Sequence, residues 1–153
     1  MAFRILLILS FIVLGIVPTF SQEAEVLPSL SYNELISRQK DYEGKRVRVS
    51  GYWRIFFEEN FLYDPLEPNF HKNGAWVEFG GEEDICKGSR KKLREIGKDY
   101  MGDLSVVFIG KLQTGRRFGH ENGYQYQFVV DCVEKIKKLP KNQRAKNEQS
   151  KTK

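Results

Sequence analysis

Two sets of side chains in this chain have the types and spacing to recognise a ligand. The first is Arg48, Tyr52 and Arg54 on one strand-like stretch, with Trp76 further along. Rings of this kind stack on bases or sugars while guanidinium groups neutralise phosphates, which is what single-stranded nucleic acid requires. The second is Arg116, Arg117 and His120 in the run 115–124, GRRFGHENGY. Two arginines between glycines can hold an anion in bidentate contacts, and the histidine adds a titratable ring. Structural readings compete with both. Trp76 can pack beneath the loop 65–73, the arginines can simply keep a sheet wet, and His120 can brace a hairpin loop. The acidic neighbours Glu58, Glu59, Glu67 and Glu78 oppose a polyanion and favour the structural reading of the first set.

Catalysis finds less support. Asp64 and Glu67 are the carboxylates best placed for a metal, but both stand beside the prolines of an ordinary loop. His71 and His120 are the only histidines, and neither has ligand spacing with the cysteines. No Ser/His/Asp set and no glycine-rich phosphate loop after a strand is present. The expectation is a non-enzyme with no cofactor and no metal. The two cysteines, Cys86 and Cys132, cannot build a structural zinc site alone. A disulfide between them is expected in an oxidising compartment, against the alternative of two buried small apolar side chains.

The elements that must position these residues follow from hydrophobic period. In Gly44–Arg54 (GKRVRVSGYWR), Val47, Val49, Gly51 and Trp53 alternate with Arg46, Arg48, Ser50 and Tyr52, the mark of a strand with one buried and one wet face. Gly51 interrupts the buried face, where a glycine marks a bend or a close backbone approach. Strands are also expected at Phe61–Tyr63, Ala75–Phe79, Leu104–Leu112 (with Gly110 near its end) and Tyr124–Ile136. In the last, Tyr124, Tyr126, Phe128, Val130 and Cys132 are expected to share one face, with Val129, Asp131 and Val133 on the other. Ser31 and Glu34 have capping-box spacing for a short helix through about Lys40. Ser89 is the expected N-cap of a helix over Arg90–Lys98 that turns Leu93 and Ile96 inward.

The ends of the chain differ from its middle. Arg4 precedes an apolar run of 13 residues, Ile5–Val17, and small residues lead to Ser21. That is the layout of a secretory signal cleaved after Ser21, and the run is short of the ~20 residues that span a bilayer. Residues 135–153 hold eight basic residues against Glu148 alone. Residues 22–134 hold 16 basic and 19 acidic ones, so the net charge of +5 belongs to the tail. From 140 onward Ala145 is the only apolar residue among lysines, asparagines and glutamines, a composition that cannot bury a core. Such a tail attracts nucleic acid or another anionic polymer, unless it is only a solubilising end. The expected domains are therefore signal (1–21), leader and short helix (22–41), barrel (42–139) and disordered basic tail (140–153).

Helix, three strands, helix and two strands, with glycine-interrupted strands GKRVRVSGYW and LSVVFIGKL, resembles the OB-fold, and in particular small exported bacterial OB-fold proteins, many of them without a known activity. An SH3-like barrel or another small α+β fold is the alternative. The resemblance implies a mainly β (α+β) five-stranded barrel with a helix between its third and fourth strands. It also implies that barrel strands one to three and the loop between strands four and five face a ligand. Secreted thermonuclease-type enzymes share that fold, and Tyr63–Glu67 is superficially similar to their acidic turn. The threonine of that turn is missing here, and Glu59 stands where those enzymes carry an arginine. The chain reads as a monomeric, periplasmic or secreted, non-catalytic binding module for an unidentified ligand or protein partner. Nucleic-acid binding and a divergent nuclease are the alternatives.

Overall fold

The computed structural model describes residues 26–67, 69–80 and 86–139. The expected signal (1–21) and basic tail (140–153) lie outside them. Among the described residues no helix is long and apolar enough to cross a membrane.

The alternating stretch forms the strand on which the others assemble. It runs Arg46–Phe56 and is here β2, because a short strand β1 (Ser29–Ser31) precedes it. β1 falls in the expected leader, where no periodicity marks it. Its pairing with β2 is parallel, Leu30 opposite Val49. The remaining strands are β3 (Glu59–Tyr63), β4 (Ala75–Phe79), β5 (Gly102–Gln113) and β6 (Tyr126–Lys138). One side of β2 pairs with β5 over residues 46–55. On the other side β1 pairs with residues 48–50 and β3 with residues 52–56. Gly51 sits at that handover, and a Cβ there would stand 3.2 Å from Tyr32 Cβ and from Tyr63 O. The glycine thus serves the close approach expected of it.

β3 pairs with β4, β4 runs parallel to β6, and β6 pairs with β5, which returns to β2. The result is a closed five-stranded, OB-fold-like barrel in which no central strand is left with a free edge. Val47, Val49, Trp53, Leu62, Val77, Leu104, Val106, Phe108, Phe128, Val130 and Val133 fill it. The capping box forms as expected: Ser31 N–H donates to Glu34 at 2.7 Å, and Glu34 N–H donates to Ser31 Oγ at 3.2 Å. It starts α1 (Tyr32–Ser37), which adds Tyr32 and Leu35 to the core, and α2 (Gln39–Tyr42) follows. Full burial of a leucine such as Leu35 stabilises by roughly 1.5–3 kcal/mol. α3 (Phe70–Asn73) is one turn before β4.

The helix between the third and fourth barrel strands is α4 (Ser89–Ile96), and its N-cap is Gly88, not Ser89. Ser89 is fully buried inside the first turn and does other work. Its Oγ accepts the Val133 N–H at 2.8 Å, and Lys92 Nζ, one turn on, donates to the Val133 and Glu134 carbonyls at 2.8 Å each. Those backbone groups need partners because β6 is bulged there. The ladder pairs Gly110 with Val130 but Ile109 with Cys132, and Phe108 with Val133 but Val107 with Lys135. Asp131 and Glu134 are the extra residues. The first insertion, at Asp131, shifts the side-chain alternation of the residues that follow it. Val133 therefore points inward with Phe128 and Val130, against the expectation that it would face away from them, and Cys132 leaves their face. The freed carboxylates meet arginines of β2: Asp131 with Arg46 at 3.1 Å and Glu134 with Arg48 at 2.8 Å. Cys132 forms the expected disulfide with Cys86, whose own N–H donates to the Asp131 carbonyl at 2.9 Å. Gly110 lies beside the first bulge, where a Cβ would fall 2.1 Å from the Val129 carbonyl.

Candidate functional site

The outer face of β2, β3 and β4 carries Tyr52, Arg54 and Trp76, as the alternation demands, but it is not a wet sheet. Phe61 and Tyr63 emerge beside them from β3 and are almost fully buried. Their cover is the loop between β5 and β6. Phe118 and Tyr124 bond to each other through both backbone N–H groups, at 2.9 and 3.1 Å, so the loop is a miniature hairpin closed by a turn at His120–Asn122. It lays Tyr124 against Phe61 and Trp76, with ring centroids 5.5 and 5.4 Å apart. Offset and tilted rings at that spacing attract beyond their shared area.

Arg54 was expected to point outward near a phosphate, and here the structure corrects the reading. The side chain is buried beneath this cover and makes a bidentate pair with Asp103, Nε to Oδ1 at 2.8 Å and Nη2 to Oδ2 at 3.0 Å. Its guanidinium lies 5.3 Å from the Tyr63 ring centre and 4.0 Å from Glu59. Burial works against the charge, but the hydrogen bonds and negative charge of Asp103 more than offset it and hold the guanidinium pKa above its ordinary value. Burial also raises the Tyr63 hydroxyl pKa, with the Asp103 charge second. Tyr124 is pushed up to about 12, by burial first and by Glu59 second.

The other expected residues separate. Arg48 is tied to Glu134 and half-buried. Tyr52 leans on Tyr63, centroids 5.9 Å apart. Trp76 packs under Gly119 and Tyr124. Gly119 has φ +70°, and a Cβ there would stand 2.5 Å from Trp76 Cε3. Gly119→Ala is therefore expected to lift the loop and cost about 1–3 kcal/mol, the usual range for overpacking. A lower melting temperature with red-shifted tryptophan emission is the readout. Asp64 and Glu67 serve their own loop: Asp64 accepts the Leu66 N–H at 2.9 Å, and Glu67 accepts from Asn73 Nδ2 at 3.3 Å.

The loop set divides between two clefts. Arg116 and Arg117 line one of about 520 Å³ with Gln39, Thr114, Gln125 and Tyr126. The Arg116 guanidinium lies over the Phe118 ring at 5.0 Å. His120 faces a different cleft, of about 580 Å³, between the β2–β3 hairpin and the β5–β6 loop. Phe56, Phe57, Glu58 and Glu59 form one wall of it, His120, Gly123 and Tyr124 the other, and Met101 joins them. Phe57 is 81% exposed and Met101 60% exposed. His120 Nε2 lies 3.6 Å from Glu58 Oε1, across the cleft. Sequence reasoning did not single out Phe56, Phe57 or Met101. The available signal was two adjacent phenylalanines at a hairpin tip, since neighbours in a strand cannot both face one core.

No family model matches the chain, and no curated protein is significantly similar to it.

Proposed function

We propose that the protein is an exported, non-catalytic binding module that takes its ligand in the cleft between the β2–β3 hairpin and the β5–β6 loop. The carrying observation is the exposed apolar lining there: Phe57 at the hairpin tip and Met101, in a cleft shared with Tyr124. Large apolar side chains held in water inside a cleft mark binding surfaces. Export is supported by the charged-then-apolar layout of residues 4–17 and by the Cys86–Cys132 bond, which persists in oxidising compartments. Amide shifts from a set of small aromatic amines test the site. Shifts concentrated at residues 56–59 and 120–124 are expected, and shifts concentrated elsewhere would overturn it.

A second reading is anion or single-stranded nucleic-acid binding, and the Arg116–Arg117 cleft favours it. The rings Tyr52 and Trp76 contribute less to it than their spacing suggests, because each is packed on its own chain. Binding of a labelled single-stranded oligonucleotide at about 0.15 M salt, where exposed charges are screened over ~8 Å, separates the readings. Binding that survives removal of residues 140–153 and is lost on changing Arg116 and Arg117 would make the second reading the first. Binding lost with the tail would mark a nonspecific electrostatic arm.

A further inference from the structure

We propose that the occupant of the hairpin cleft is a segment of another polypeptide that carries a basic side chain beside an aromatic or aliphatic one. This rests on the cleft reading above and adds the chemistry of the ligand.

Charge complementarity carries it. Among the described residues, the lining of the cleft includes Glu58 and Glu59 but neither lysine nor arginine. The side chain of Glu58 is 55% exposed and that of Glu121, just beyond His120, is 85% exposed. Carboxylates therefore stand on the hairpin side of the cleft, and Glu121 stands 3.9 Å from His120 at its edge. Arg54 is held by Asp103 beneath the sheet cover and also stands 4.0 Å from Glu59, so Glu58 is the more available of the two lining carboxylates. An ammonium or guanidinium entering the cleft meets carboxylates and aromatic faces in its lining, and both attract it. A phosphate or carboxylate ligand is repelled by Glu58 and Glu59, and His120, which could donate to it, already lies 3.6 Å from Glu58. The apolar lining of Phe56, Phe57, Met101 and Tyr124 asks for an apolar group next to the cation.

The backbone agrees with this choice of residues. Among the described residues, the non-glycine positions with positive φ are Glu58 (65°), Glu121 (50°) and Asn122 (57°). Glu58 lines this cleft, and Glu121 and Asn122 lie in the turn between its lining residues His120 and Gly123. The left-handed region costs an L residue roughly 1–2 kcal/mol, and glycine would remove that cost. The chain instead keeps a carboxylate in the cleft at Glu58. Strain of this kind gathers at binding sites.

The chain's own basic segment does not match. Residues 140–153 supply cations, but Ala145 is their only apolar side chain, so they offer nothing to the aromatic lining.

The test uses the oxidised chain and three short synthetic peptides at about 0.15 M salt. One mixes lysine with phenylalanine and leucine, one mixes lysine with serine, and one mixes glutamate with phenylalanine and leucine. The lysine–phenylalanine peptide is expected to bind, and Glu58→Lys and Phe57→Ser are each expected to weaken it about tenfold or more. Both positions are exposed, so an unchanged melting temperature shows that the fold is intact. Equal binding of the lysine–serine peptide, or undiminished binding by both variants, overturns the proposal. If only the glutamate peptide binds and Phe57→Ser abolishes it, the cleft stands and the basic partner falls. If no peptide binds and no amide at 56–59 or 120–124 moves, the cleft reading falls too.

Discussion

Replacing Asp103 with alanine is expected to destabilise the protein by about 3–5 kcal/mol, the cost of leaving one member of a buried ion pair behind. Arg54 cannot lose its proton at any ordinary pH, so its charge remains under the aromatic cover with two hydrogen bonds removed. Glu59, at 4.0 Å, softens the loss toward the lower end of that range. Chemical denaturation of Asp103→Ala measures it directly. The companion variant Arg54→Met with Asp103→Leu removes both charges and is expected to recover most of the stability, because a packed apolar pair avoids the desolvation penalty. If the single variant costs less than about 1 kcal/mol, the pair is wetter than its geometry implies.

Removing the disulfide is the second large effect. Cys86 and Cys132 are 46 residues apart, and the chain-entropy estimate for a loop of that length is about 4 kcal/mol. A variant with both cysteines changed to alanine is expected to melt roughly 15 °C lower. The bond anchors the entry to α4 on β6 at the point where the ladder is broken. Ser89 Oγ and Lys92 Nζ hold the same place by hydrogen bonds. An unchanged melting temperature in the double variant would mean that these contacts already constrain the loop. Melting of the wild type with and without reductant gives an independent reading.

The sequence carries the barrel in its periods. Alternation located β2 within two residues at each end, and Ala75–Phe79 coincides with β4. Ser31 and Glu34 announced α1 because a capping box is local, needing only a spacing of three. What escaped depends on partners distant in the chain. The inward turn of Val133 results from one extra residue in β6 relative to β5, Asp131, and a single strand read alone shows no register. Arg54 reads as a wet-face residue until Asp103, 49 positions later, arrives beside it. Trp76 likewise reads as an open stacking ring until the β5–β6 loop folds over it. For the site, Arg116, Arg117 and His120 are found on clefts as their loop suggested, but on two of them. The aromatic hairpin tip escaped because a turn was expected there, and turn residues are ordinarily polar.

The pairing of β2 with β5 has a kinetic consequence. It joins residues 46–55 to residues 102–111, so closure brings together segments whose partners are ~45–65 positions apart in the chain. The β2–β3 hairpin, with a two-residue tip, needs no such search and can form in microseconds. Refolding on the millisecond-to-second scale is therefore set by the arrival of β5, in a topology of high contact order. Side chains that act only after closure, such as Ser89 and Lys92 at the β6 bulge, should then govern how fast the native barrel opens rather than how fast it forms.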